Sequence, residues 1–146
     1  MYQIKQYLDG QYQVYELIDS QSKAWVKAAP ERGGIIIGYG TEGTELLYLN
    51  NETFQDEKAN VRGGIPILFP ISGQLEGGKY EWAGTVYKMK NHGFARNMPW
   101  EVMATGATND EAFMTIRLKS NEETKESYPF DFEVIYTYRL QEGKLS

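Results

Sequence analysis

The chain has 146 residues, with 15 Lys and Arg against 20 Asp and Glu, for a formal net charge of −5. Its length is near the commonest single-domain size, and its acidic balance argues against nucleic acid or an anionic membrane surface as the main partner. Cysteine is absent and histidine occurs once, which excludes disulfides, thiolate metal sites, a cysteine nucleophile and a histidine-rich metal centre.

No run approaches the roughly 18 apolar residues of a membrane helix, and the polar start MYQIKQYLDG does not read as a secretory signal. The expectation is one β domain over residues 1–146, working in the cytoplasm. Eleven Tyr, six Phe, three Trp and 15 Gly suit pleated strands joined by tight turns.

In chain order, residues 12–18 (YQVYELI) alternate loosely, with Tyr12, Val14 and Glu16 on one face and Tyr15 and Leu17 on the other. Residues 23–29 put Ala24, Val26 and Ala28 on a shared face. The cluster Pro30-Glu31-Arg32-Gly33-Gly34 then reads as a turn. Ile35-Ile36-Ile37 and Leu46-Leu47-Tyr48-Leu49 are short apolar runs of the kind found in strands buried on both faces. Residues 52–60 have room for a helical turn or two.

Residues 79–90 predict a hairpin bending at Ala83-Gly84. Residues 111–118 alternate Ala112, Met114, Ile116 and Leu118 with Phe113, Thr115 and Arg117. Residues 131–140 line Phe132, Val134, Tyr136, Tyr138 and Leu140 along one face, the pattern of a half-buried antiparallel strand. Residues 120–129 between them read as a charged, turn-rich connection. Many short strands with frequent turns and no amphipathic helix of ten residues predict an antiparallel β-sandwich. Gln141 to Lys144 read as a hairpin turn whose return arm, Leu145-Ser146, is too short to pair usefully. Two expectations follow: a frayed tail, or a chain cut inside a hairpin.

Two segments break the alternation. Val61-Arg62-Gly63-Gly64-Ile65-Pro66-Ile67-Leu68-Phe69-Pro70 pairs an arginine with two glycines, which permit close backbone approach, and two prolines, which deny a full ladder. Asn91-His92-Gly93-Phe94-Ala95-Arg96-Asn97-Met98-Pro99-Trp100 holds the single histidine and an arginine four residues on. Each has a bland explanation: a structural histidine, an arginine capping carbonyls or pairing with Asp56 or Glu57, a simple bend. Together, Arg62, His92 and Arg96 are cations or potential cations in Gly-bearing irregular segments of an acidic chain. If the segments meet, they form a small positive pocket suited to a phosphate or carboxylate, because arginine forks take oxyanions bidentately. Tyr80, Trp82, Phe94 and Trp100 could offer ring faces for a sugar.

The pair RGGIPILFP (62–70) and HGFAR followed by PW (92–100), with YPFDF (128–132), resembles the hexose-6-phosphate branch of the aldose 1-epimerase (mutarotase) family over roughly residues 14–146. The resemblance implies a large, galactose mutarotase-like antiparallel β-sandwich. It also implies no metal or organic cofactor, and interconversion of the α and β anomers of a hexose, expected to be a hexose 6-phosphate. By resemblance, Arg62 and Arg96 hold the substrate, in phosphate-specific members through its phosphate, and His92 belongs to the same pocket. Asn91 stands where close relatives often carry a Gln, and its shorter amide reaches less far.

The family's acid–base chemistry resembles catalysis by a histidine and a glutamate that lie beyond the segment matching 131–140, so no catalytic residue is assigned here. His92 is a catalytic candidate, with anchoring of substrate the favoured role. The resemblance therefore favours an N-terminal, substrate-anchoring half of a larger sandwich, inactive alone. Such a half would expose an apolar sheet face through which a homodimer could form. The alternatives are a β-sandwich module that binds a sugar or sugar phosphate without turning it over, and a fragment that recruits a protein partner.

Overall fold

The computed structural model describes residues 1–146. Eleven strands run in chain order: β1 (Tyr2–Asp9), β2 (Tyr12–Asp19), β3 (Ala24–Ala29), β4 (Ile35–Thr41), β5 (Thr44–Glu45), β6 (Lys79–Trp82), β7 (Thr85–Lys88), β8 (Glu101–Ala107), β9 (Ala112–Lys119), β10 (Glu133–Gln141) and β11 (Lys144–Leu145). Two short helices interrupt them, α1 (Asn51–Gln55) and α2 (Glu122–Ser127). Strands β1 to β5 form one antiparallel sheet in sequence order, β8 to β11 form a second, and β6 and β7 pair alone. No helix is long and apolar enough to cross a membrane.

The two sheets pack face to face, as expected for a sandwich. Leu17, Ala24, Val26, Ala28 and Ile36 of the first meet Ala112, Met114, Ile116, Leu118, Tyr138 and Leu140 of the second, all buried. The loose alternation of residues 12–18 has a physical cause: β2 is covered on both sides. Leu17 faces the second sheet, while Tyr12 and Val14 join Ala29, Ile35 and Ile37 around Phe54 of α1. The Ile35-Ile36-Ile37 run is likewise buried on both faces.

Several expectations are corrected. Leu46 to Leu49 is no buried strand: Leu46 is 54% and Tyr48 69% exposed. Glu45 ends the ladder there, its Oε2 accepting the N–H groups of Tyr39 and Leu47. The 120–129 connection contains α2, closed by a capping box in which Asn121 accepts from the Thr124 N–H and Thr124 accepts from the Asn121 N–H. Leu145-Ser146 does pair: Leu145 sits opposite Leu140, and Ser146 and Arg139 exchange backbone hydrogen bonds. Strands β1 and β8 were not expected. In β8 a register shift between Val102 and Ala104 breaks the period-two pattern. The hairpin at Ala83-Gly84 is present, with φ of 51° and 82° at the bend, the values of a primed two-residue turn.

Candidate functional site

The two irregular segments meet. Segment 61–70 is held by single bridges, Gly63 to Leu49 of the connection after β5 and Ile65 to Ile36 of the first sheet. Its arginine is fixed by its main chain: the Arg62 N–H donates to Thr53 Oγ1 at 2.9 Å, and its carbonyl accepts from the Asn50 N–H at 2.8 Å. The Arg62 side chain is exposed and enters no ion pair; Asp56 and Glu57 do not hold it.

Segment 91–100 docks where segment 61–70 ends. Phe69 bridges Gly93 in parallel, and its carbonyl accepts from the N–H groups of Phe94 at 2.9 Å and Ala95 at 3.2 Å. Gly93 has φ of 73°, and a Cβ there would run into the Phe69 carbonyl, so the contact requires glycine. Phe69, Phe94, Tyr128 and Phe132 pack ring to ring around this junction. That cluster ties YPFDF to both motifs. Trp100 is buried at 4% exposure and donates its Nε1–H to the Ala95 carbonyl. It is a core residue, and Phe94 is spent in the ring cluster. Of the four rings considered for a sugar, Trp82 stays 53% exposed, while Tyr80 stacks on Tyr87 and donates its hydroxyl to the Ser127 carbonyl.

His92, with φ of 66°, places Nδ1 2.7 Å from the Ser72 carbonyl. A carbonyl only accepts, so Nδ1 carries the proton, and in the neutral ring Nε2 is left as an acceptor. Asn91 is exposed, and its carbonyl accepts from Arg96 Nη2 at 3.4 Å. Arg96 is half-buried, and its Nε is shut from solvent with no hydrogen-bond partner. No carboxylate pairs with it. Its neighbour Asn97 reaches Asn60 Oδ1 at 3.4 Å, which brings Asn60 and Val61 beside Arg96 and Asn97. A small cavity of about 30 Å³ lies there, lined by Arg32, Ile35, Asn60, Val61, Pro66, Arg96 and Asn97. A larger cavity of about 270 Å³, edged by Lys88, Lys90, Phe94, Glu123 and Glu126, contains none of Arg62, Asn91, His92 or Arg96. No group of three His, Asp or Glu gathers where a metal could be held.

Sequence reasoning missed Arg32. It is 6% exposed and bonds to four backbone carbonyls, of Thr53, Phe54, Asp56 and Ala59. A signal was available: Arg-Gly-Gly-Ile occurs twice, at 32–35 and 62–65, and the following Ile36 bridges Ile65.

A family model described as aldose 1-epimerase matches residues 16–146. A Salmonella typhimurium protein named "Putative glucose-6-phosphate 1-epimerase" is 31% identical over 98 residues, which is 66% of this chain and 30% of that protein. The crystal structure of a Synechocystis protein is 42% identical with a TM-score of 0.87, covering 97% of this chain and 48% of that one. A galactose mutarotase-like protein from Clostridium acetobutylicum, 19% identical, shares the fold with a TM-score of 0.81, over 99% of this chain and 47% of that one. The chain thus spans about a third to a half of the length of these relatives.

Proposed function

Because the chain belongs to the aldose 1-epimerase family, we propose that it anchors a hexose, expected to be a hexose 6-phosphate, for interconversion of the α and β anomers. Arg62 and Arg96 take the phosphate, His92 accepts a sugar hydroxyl at Nε2, and Asn91 lies at the rim. The observation that carries this reading is the junction of the two segments, which sets Asn60 and Val61 beside Arg96 and Asn97 and leaves both Arg62 and Arg96 without a carboxylate partner. A guanidinium without a carboxylate partner favours an oxyanion. The role is that of the substrate-anchoring part of the enzyme, set in the cytoplasm and calling on no metal or organic cofactor. The acid–base pair that opens and recloses the ring is not assigned to residues of this chain.

The test is a ¹H–¹⁵N NMR titration with glucose 6-phosphate, following backbone amides and arginine side chains. Shifts focused on Arg62 and on Asn91 to Arg96 are expected. A dispersed spectrum that never moves would sink the reading.

A second reading is a binding module that holds the sugar phosphate without turning it over. It is favoured by the single histidine, whose Nδ1 is spent on the Ser72 carbonyl. Magnetisation transfer between the two anomers separates the readings: enzyme-accelerated exchange supports the epimerase, and binding without exchange supports the module.

For self-association we propose the exposed face of the second sheet as the contact, where Ile135 of β10 stands 55% exposed.

A further inference from the structure

Arg32 is a buried cation without a carboxylate partner. A charge so placed is costly unless its hydrogen bonds are met. Here Nε donates to the Phe54 carbonyl at 3.2 Å, and Nη2 points at the carbonyls of Thr53 at 3.2 Å, Asp56 at 2.8 Å and Ala59 at 2.6 Å. These four carbonyls belong to the end of α1 and the loop that runs directly into Asn60, Val61 and Arg62. The same α1 residue, Thr53, accepts the Arg62 N–H. A single guanidinium fork thus gathers the whole approach to Arg62, a geometry that a lysine's point charge cannot reproduce.

The turn that carries Arg32 is also pinned to the other arginine. Gly33, with φ of 72°, lies so close to the Arg96 carbonyl that a Cβ would run into it. The Trp100 N–H donates to the Pro30 carbonyl at 2.9 Å, and the Tyr138 hydroxyl donates to the Gly34 carbonyl at 2.6 Å. Residues 30–34 therefore touch the loop that leads into Arg62, the main chain of Arg96 and the second sheet. The Arg32 side chain lines the small cavity together with Val61 and Arg96.

We infer that Arg32 is a positioning residue for the anion pocket: by clamping the carbonyls of residues 53–59 it sets the distance between Arg62 and Arg96, and so the preference for a phosphorylated over a neutral sugar. The inference rests on the pocket reading above and adds what holds the pocket to size. Oxyanion recognition by two forks depends on their separation, because each fork must meet the oxygens in its own plane. A neutral hexose, making no demand on two cations at once, loses little when that separation changes.

The test uses the full chain with Arg32→Lys, and with Arg32→Gln as a second variant, neutral and able to donate to fewer of the same carbonyls, should Arg32→Lys fail to fold. Two readouts are taken: amide hydrogen exchange at Val61 to Gly63 without ligand, and NMR affinities for glucose 6-phosphate and for glucose. The expected result is faster exchange at Arg62 and a glucose 6-phosphate affinity weaker by about 10-fold or more, with glucose affinity within about 2-fold of the parent. Unchanged exchange and an unchanged preference for the phosphorylated sugar overturn the inference. Equal losses for both sugars also overturn it, because they mark a merely structural role. Arg62→Ala distinguishes the other failure: if that variant keeps its glucose 6-phosphate affinity, the pocket reading itself falls, whatever Arg32→Lys does to exchange.

Discussion

Arg62 and Arg96 reach the junction in opposite states. Arg62 has its main chain tied and its side chain free, whereas Arg96 has an Nε closed off from water and unsatisfied. Replacing either arginine with Ala is expected to weaken glucose 6-phosphate binding by about 10- to 150-fold in a calorimetric titration. An affinity unmoved in both variants would remove the phosphate from this site. Both arginines were picked out in the sequence because each sits in a Gly-bearing segment that breaks the strand period. Arg32 sits in a Gly-bearing turn as well, and its Arg-Gly-Gly-Ile repeat is legible, but its partners are backbone carbonyls 21 to 27 residues away, which no sequence pattern identifies.

Among the elements, the loop after the β6–β7 hairpin depends on one position. Gly93 brings its backbone against Phe69, and the φ of 73° and the absent side chain are both needed there. Gly93→Ala is expected to separate the two segments and to cost on the order of 1–3 kcal/mol in chemical denaturation, the range for enforced backbone strain. Chemical shifts should change at Phe69 and Phe94 as well as locally; a change confined to residues 92–94 would show that the junction does not rest on this glycine. The elements that escaped sequence reading share a cause. Helix α2 has six residues, too few to display a helical period, and only its Asn121–Thr124 box announces it. Strand β8 carries a bulge that shifts the alternation halfway along. Strand β9 has neither defect, and its buried Ala112, Met114, Ile116 and Leu118 were readable residue by residue.

Over the whole molecule, the β10–β11 hairpin is fastened to the first sheet through Asp19, which is 2% exposed. Burial alone would push its carboxyl up, but hydrogen bonds from the Ser22 side chain and from the N–H groups of Ser22, Gly143 and Gln21 outweigh it, and the carboxyl lies below its ordinary value. A group depressed on folding stabilises the fold above its unfolded pKa and loses that contribution as pH falls through the folded one. Asp19→Asn is therefore expected to cost about 1–3 kcal/mol at pH 7 in urea unfolding, with the gap to the parent shrinking below about pH 4. An equal gap at pH 7 and pH 3 would show that the charge is not what fastens the hairpin.

The outer face of the second sheet is not uniformly apolar. Arg117 bridges Glu101 and Glu133, Thr115 bonds Thr137, and Arg139 pairs with Glu111. Ile135 is the apolar residue left exposed among them. If two copies associate through this face as proposed, Ile135→Glu should return a dimer to monomer in light scattering. A dimer that survives the change would place the contact elsewhere.

The class of fold, the alternation of the core strands, the absence of thiol chemistry and the two irregular segments are all legible in the residues alone. Those properties are local: strand periodicity, turn glycines and residue types are written within a few positions of one another. Folding is what makes the two segments touch, through Phe69 and Gly93, places Trp100 in the core, and sets Arg32 to grip the approach to Arg62. Each of these depends on backbone groups brought together across tens of residues, and every residue but proline carries the same backbone groups. A sequence therefore shows which side chains are available for a site, while the distances between them follow from how the sheets and their connecting loops close on one another.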